Sequence, residues 1–318
     1  MIGWDEILTP DLPGGVVVQS WRGFDSLAAG AKNGYRGILS AGYYLNHKNT
    51  AEMHYAVDPL PAASTLNTDQ QARILGGEAC MWTEQTSPQT LDSRLWPRAA
   101  AIAERLWSPR TVDSVDDMYR RLAAESLRLE GFGLTHISQE GVSLRRFAGT
   151  EQIGPLQIFA SVLEPVSFDE QASIQHPNAL TPLNQLADAL PPDPPSRHNF
   201  EVLVRSYLQD PRTRKHEEAN LVAGFNSWIA IEPAILQMMS ASPQLAQAEP
   251  RAPQLAELGT TGIEAVWYLS SGLPAAAGWK TEKLALIDTA EKPQALVRFT
   301  VIKPLRDLVN AVSEPTAK

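Results

Sequence analysis

Cysteine is almost absent from this 318-residue chain: Cys80 stands alone. That excludes an internal disulfide and any cluster of cysteine metal ligands. Histidine is thin too, six in all, and none stands in a metal-binding spacing such as HExxH. Lys and Arg total 27 against 36 Asp and Glu, a formal net charge of −9. No basic patch interleaved with aromatics interrupts that acidity, so no nucleic-acid partner is expected. No apolar run is long enough to span a bilayer. The N-terminus lacks a basic region followed by an apolar core, so no export signal is visible. Met1-Ile2-Gly3-Trp4 reads instead as the middle of a strand, and the chain is expected to begin inside a domain. What is present is a globular composition, 43% hydrophobic, long enough for two ordinary domains.

The chain is organised around Ile74-Leu75-Gly76-Gly77-Glu78-Ala79-Cys80-Met81-Trp82-Thr83-Glu84. A short apolar run passes through a glycine pair, which admits close packing or unusual backbone angles. Trp82 and Glu84 stand at i and i+2, and on an extended segment they face one space. An indole plate beside a carboxylate suits a sugar, whose C–H face stacks on the ring while its hydroxyls donate to the carboxylate. A core tryptophan with Glu84 paired to an arginine fits the same spacing.

The next segment, Asp92 to Ser108, reads as a helix after a capping turn. Leu95, Ala99, Ile102 and Leu106 form an apolar stripe at helical spacing, and Pro97 is tolerable in a first turn. Together, GGEACMWTE and RLWPRAAAIAERLWS resemble the last barrel strand and closing helix of family 20 glycoside hydrolases, the β-N-acetylhexosaminidases.

Upstream, Ile2–Leu8 reads as a short strand and Gly15–Trp21 as a second, β-branched enough to be buried on both faces. Asp25–Asn33 reads as a helix, Tyr35–Ser40 as a third strand and 41–58 as a long loop. Strand, helix, strand at this spacing predicts a parallel α/β sheet with right-handed crossovers. Asp113–Leu129 reads as an amphipathic helix with Val115, Met118, Leu122 and Ser126 on one side, stopped by glycine. Past residue 137 the strand-like runs thin out, and Leu183–Leu190, Phe200–Gln209, Lys215–Met239, Ala252–Ser271 and Leu296–Val312 read as helices. Gln157–Val166 fits either a strand or a connecting helix. The expected fold is α/β over residues 1–137, four parallel strands with helices. With the resemblance, these become the C-terminal half of a (β/α)8 TIM barrel. Residues 138–318 are expected to form a mainly α-helical domain, resembling the extension on some bacterial family 20 enzymes.

Three of the four strands end in tryptophan, Trp4, Trp21 and Trp82, at the C-terminal edge where a β/α barrel builds its site. The resemblance implies that these three line the pocket for the substrate's 2-acetamido group. It implies that the Tyr44 hydroxyl donates to the acetamido carbonyl, while a capping role for a backbone carbonyl suits its neighbour Tyr43. Asn46 stands where many relatives have an aspartate contacting a sugar hydroxyl, and Glu84 matches the carboxylate for the O4 and O6 side. Asp58-Pro59-Leu60 reads as loop structure.

Family 20 is substrate-assisted: a glutamate acts as general acid/base beside an aspartate, in an Asp-Glu dipeptide after two glycines. No Gly-Gly-Asp-Glu occurs here; Gly76-Gly77-Glu78 matches a different motif, and Asp5-Glu6, on the wrong strand, is assigned a structural role. The resemblance therefore implies hydrolysis of terminal non-reducing N-acetyl-D-hexosamine from a glycan or chitooligosaccharide, with no metal or cofactor. The chain itself is expected to be a fragment, inactive alone, whose partner is the N-terminal half of the barrel. A catalytically dead sugar-binding or protein-interaction module is the alternative. An oligomer is compatible with the sequence, and a periplasmic or secreted full-length protein is what the resemblance implies.

Overall fold

The computed structural model describes residues 1–178 and 180–314. It divides into two compact units. One comprises Met1–Ile137 with Ser167–Asp169, the other Ser138–Val166 with Glu170–Lys318.

The first unit is a partial β/α barrel. Strands β1 (Ile2–Trp4), β2 (Val17–Ser20), β3 (Arg36–Leu39) and β4 (Ile74–Gly77) lie side by side in chain order, all parallel. Trp4 pairs with Gln19, Ser20 with Leu39, and Leu39 with Gly77. The strands therefore finish on one level, and every following loop starts from the same edge of the sheet. Helix α1 (Phe24–Lys32) crosses from β2 to β3. Its Leu27 is fully buried, and a Cβ on Gly37 of β3 would sit 2.4 Å from Leu27 Cδ1, so glycine sets how close helix and sheet come. Gly77 is constrained in the same way, since a Cβ there would meet the Tyr43 ring at 2.6 Å and the Leu39 carbonyl at 3.1 Å. Leu27, Leu39, Tyr43, Leu45 and Ile102 form the core behind the sheet.

Several expected elements differ in detail. The 41–58 loop contains a 3-10 turn, Leu45–His47, and helix α2 (Ala51–Tyr55), capped by Thr50, whose hydroxyl accepts from the Met53 amide. A short helix α3 (Thr68–Gln71) with an Asn67 capping box precedes β4. The strand expected to run through Glu84 stops at Gly77. The helix expected over Asp92–Ser108 is two helices, α4 (Leu91–Leu95) and α5 (Arg98–Trp107), separated by a cis Trp96–Pro97 bond. Proline pushes the residue before it into extended backbone, and Trp96 is extended, at φ −102° and ψ 149°. The apolar stripe survives the break: Ile102 is buried, with Leu95, Ala99 and Leu106 packed round it. Helix α6 (Val115–Gly131) buries Met118 and Leu122 on Ala51, Tyr55 and Ala101.

In the second unit helices dominate. Gln157–Val166 resolves as both alternatives in turn, a helix Gly154–Ser161 and then β5 (Leu163–Pro165). Leu296–Val312 is not one helix but β6 (Val297–Phe299) followed by helix Ile302–Ala311. β6 forms because it pairs antiparallel with β5, Leu163 facing Phe299, a non-local pairing that a local period does not show. Lys215–Met239 breaks at Ile231 into Lys215–Ala230 and Glu232–Ala241, where Pro233 lacks the amide a continuous helix needs. Arg251, fully buried, donates to the carbonyls of Ala290, Lys292 and Val297 and lies over the Phe299 ring. Burial lowers its guanidinium to about 10, with Arg298 adding to the effect. No helix among the described residues is long and apolar enough to cross a membrane.

Two buried polar groups hold the first unit's loops. The Asp5 carboxylate accepts from the backbone amides of Trp21 and Arg22, both at 2.8 Å, and from Ser26 Oγ at 2.5 Å. Asp5→Ala strands these donors, so a loss of about 2–4 kcal/mol is expected in urea unfolding; a change below 0.5 kcal/mol contradicts this role. His54, also fully buried, presents Nδ1 2.7 Å from the Gly42 carbonyl, a donating geometry, and Nε2 towards Arg98 Nη1 at 3.5 Å. Burial first, and then Arg98, lower its pKa from 6.5 to about 4. Between those values the unfolded chain binds a proton that the fold refuses. The stabilisation is whole above pH 6.5 and is lost as pH falls towards 4, by about 3 kcal/mol. Ring resonances of His54 that stay neutral down to pH 5 in NMR titration are expected; a midpoint near 6.5 contradicts the assignment.

Candidate functional site

β4 ends at Gly77, yet the chain beyond it stays tied to the loop after β3. The Leu45 amide donates to the Cys80 carbonyl at 2.8 Å and the Cys80 amide to the Tyr43 carbonyl at 3.1 Å, an isolated parallel bridge between Tyr44 and Cys80. Arg98, buried on α5, donates to the carbonyls of Leu45, Asn49 and Arg94. These bonds fix Tyr44, Asn46, Trp82 and Glu84 round one cavity of 560 Å³. Trp21 lines it as well.

Trp82 is 46% exposed and Trp21 45%. Neither is a core tryptophan, and Glu84, exposed, pairs with no arginine among the described residues. The packing alternative for Trp82 and Glu84 is therefore not what the structure shows. Trp4, half-buried, sets its ring 6.1 Å from that of Trp82 at 42°, and is not among the residues that line the cavity. Trp21 is held from its polar end: Nε1 donates to the Glu6 carboxylate at 3.2 Å, and Arg22, paired with Glu6 at 3.0 Å, lies over the indole. Asp5 and Glu6 thus both serve structure, one anchoring the backbone after β2 and one bracing Trp21.

Tyr43 is fully buried and donates to the Val57 carbonyl at 2.9 Å, a capping role. Its neighbour Tyr44 points its ring to the cavity. Burial holds the Tyr44 phenol above its usual range, the Cys80 thiol adds to this, and a hydrogen bond with Trp82 opposes it. The phenol is thus a donor at neutral pH. Asn46 is only 6% exposed, and its Oδ1 is buried with no hydrogen-bond partner among the described residues. An unpaired buried amide oxygen costs about 1–3 kcal/mol.

Two groups that sequence reading passed over belong here. Glu78, directly after the glycine pair, accepts from Gln19 and from Ser40 Oγ at 2.5 Å, with Cys80 Sγ at 3.9 Å. Polar Gln19 and Ser40 at the ends of apolar strands were the available signal. The Cys80 thiol, raised to about 11 by burial and then by Glu78, stays protonated. Phe168, far along the chain, counts with the first unit and lines the same cavity. Its ring stacks on His47 at 5.7 Å and 10°, and nothing local in the sequence signals it. No group of three His, Cys, Asp or Glu that could hold a metal occurs among the described residues.

Residues 1–110 match the glycosyl hydrolase family 20 catalytic-domain model, a stretch that includes Trp4, Trp21, Tyr44, Asn46, Trp82 and Glu84 but not Phe168. The chain is 35% identical over 141 residues to rat beta-hexosaminidase subunit beta, covering 42% of this chain and 26% of the relative. It is 41% identical over 116 residues to the bovine alpha subunit, covering 34% and 22%. Both units resemble the solved chitobiase of Flavobacterium johnsoniae, at a TM-score of 0.87 and 34% identity over 97% of this chain and 47% of that one. The chain thus spans about a quarter of the curated relatives it matches and just under half of the chitobiase. Residues 1–110 thus carry the chain's likeness to glycosyl hydrolase family 20.

Proposed function

We propose that the first unit recognises a terminal N-acetylhexosamine and carries the acetamido-binding side of a β-N-acetylhexosaminidase site. The observation that carries this reading is one cavity bringing together Trp21, Trp82, Tyr44, Asn46 and Glu84. The reaction is hydrolysis of terminal non-reducing N-acetylhexosamine from a glycan or chitooligosaccharide. Its nucleophile is the substrate's own acetamido oxygen, so the protein's task is to aim that oxygen rather than to attack. Trp21 and Trp82, with Trp4 packed on Trp82, hold the methyl amide and exclude water from it. The Tyr44 hydroxyl, protonated at neutral pH like any phenol, donates to the amide oxygen and steadies it as it closes on the anomeric carbon. Asn46 Oδ1 and the Glu84 carboxylate accept from sugar hydroxyls.

Departure of the leaving group needs a proton donor, and the carboxylates that directly follow β1 and β4, Asp5, Glu6 and Glu78, have partners within the unit. Glu78 is held by Gln19 and Ser40, Glu6 by Arg22 and Trp21, and Asp5 by backbone amides. Strands β1 and β4 each have one neighbour in the four-stranded sheet among the described residues. A partner segment pairing along those edges supplies the donor in this reading, and residues 1–318 alone do not turn over.

Calorimetric titration of residues 1–318 is expected to show binding of N-acetylglucosamine and at least tenfold weaker binding of glucose. Trp82→Ala weakens the acetamido sugar about tenfold or more, and Asn46→Ala about fivefold or more. Equal affinity for glucose and N-acetylglucosamine contradicts acetamido recognition. Hydrolysis of 4-nitrophenyl N-acetyl-β-glucosaminide by the same chain is expected at background. Robust turnover would return the donor's role to Glu78 or Glu6, while tight binding that stays inert when the edges are supplied with partner strands would make this a sugar-binding module.

A further inference from the structure

We infer that the helical second unit holds a binding site of its own, where helices Pro195–Tyr207 and Lys215–Ala230 meet, for a small uncharged ring compound bearing a hydrogen-bond acceptor. The cavity there measures 330 Å³. That is the lower end of the range of about 300–1,000 Å³ in which proteins enclose small ligands, so it suits a single ring system rather than an extended chain. Phe200, Leu203, Leu221, Trp228 and Val301 make its walls largely apolar, and no charged side chain lines it. An ionised ligand would lose its hydration there with no opposite charge to replace it, so the occupant is neutral. None of these residues lines the first unit's cavity, and the site does not depend on sugar recognition.

Two features of the helix Lys215–Ala230 leave this site open for a ligand. Gly224 lies in its interior in ordinary helical backbone, and a Cβ built there meets no atom within 4 Å. Glycine inside a helix weakens it relative to alanine. Gly259 and Gly262, on the helix Arg251–Ser271, have a packing reason: a Cβ on the first would meet the Phe225 carbonyl at 2.8 Å, and one on the second the Phe225 ring. Gly224 has no such neighbour, and what its missing side chain leaves is room in the cavity it lines. Trp228, one turn along the same helix, is only 5% exposed, and its ring is held by Phe225 at 5.1 Å and Phe200 at 5.5 Å. Yet its indole N–H donates to no group among the described residues, whereas a buried indole N–H ordinarily finds an acceptor. The nearby polar donors are spent: Ser196 Oγ donates to the Ser161 carbonyl, and Asn220 Nδ2 lies 3.1 Å from His216 Nε2. The ligand therefore brings the acceptor for Trp228, and its ring takes the space beside Gly224.

Acetophenone, a neutral ring with one carbonyl acceptor, is the probe, and benzoate is its charged counterpart. Residues 1–318 are titrated with each and followed by proton–nitrogen correlation NMR in the indole region. Eight tryptophans give few signals there, and Trp228→Phe assigns that of Trp228. Acetophenone is expected to displace the Trp228 indole N–H signal saturably, with benzoate weaker by about fivefold or more. Gly224→Leu puts a side chain into the cavity and favours the helix, so it weakens acetophenone by about tenfold or more. Gly224→Ala weakens it by about twofold to fivefold, and decides the matter if the leucine variant does not fold. Trp228→Phe, read from the Gly224 amide, weakens acetophenone about twofold to tenfold, the loss of one hydrogen bond. An unmoved Trp228 signal, equal affinity for benzoate, or undiminished binding by the folded glycine variants overturns the assignment.

Discussion

Two backbone hydrogen bonds, Leu45 amide to Cys80 carbonyl and Cys80 amide to Tyr43 carbonyl, hold this site together. The sheet runs out at Gly77, and Trp82 and Glu84 would otherwise hang from a free segment beyond it. The bridge extends the pairing of β3 and β4 past the end of the sheet and joins two loops that both carry ligand-facing side chains. Arg98 reinforces it with a fully buried guanidinium that donates to the carbonyls of Leu45 and Asn49. His54 completes this support by taking the Gly42 carbonyl, at the cost of staying neutral.

The polar groups at the strand ends divide by whether the protein satisfies them. Asp5 is met by two backbone amides and the Ser26 hydroxyl, and Glu78 Oε1 by the Gln19 amide and the Ser40 hydroxyl. Asn46, almost as buried as Asp5, has an Oδ1 with no partner among the described residues. In a low-dielectric setting an unmet acceptor is destabilising unless something arrives to meet it. The exposed indoles of Trp21 and Trp82 make the same point in apolar terms, since large aromatic faces turned to solvent mark a binding surface. Exposed indole faces gathered with Tyr44, Asn46 and Glu84 in one cavity are the physical basis for reading it as a sugar site.

Much of the first unit was legible because its signals are local. The β-branched run before Ser20, the 3.6-residue stripe from Leu95 to Leu106 and the tryptophans near strand ends all report on nearest neighbours. The break at Trp96–Pro97 was also legible in principle, from the rule that proline bars helical backbone at the residue before it. Elsewhere the determining contacts are distant in sequence. β6 exists because β5 pairs with it. The strand expected to reach Glu84 stops early because the Tyr44–Cys80 bridge, not sheet pairing, continues its path. Phe168 reaches the cavity through Gln85 and Lys48, which no periodicity connects. Trp4, expected in the pocket lining, sets its ring against that of Trp82, a contact that strand position alone does not fix.

The account stands or falls on where an N-acetylhexosamine sits. A crystal structure of residues 1–318 with N-acetylglucosamine measures this directly. The account predicts the acetamido group between Trp21 and Trp82, its carbonyl oxygen within hydrogen-bond distance of the Tyr44 hydroxyl, and a sugar hydroxyl donating to Asn46 Oδ1. A sugar seated elsewhere, or in this cavity with its acetamido group turned to solvent and Asn46 still unpaired, would contradict it.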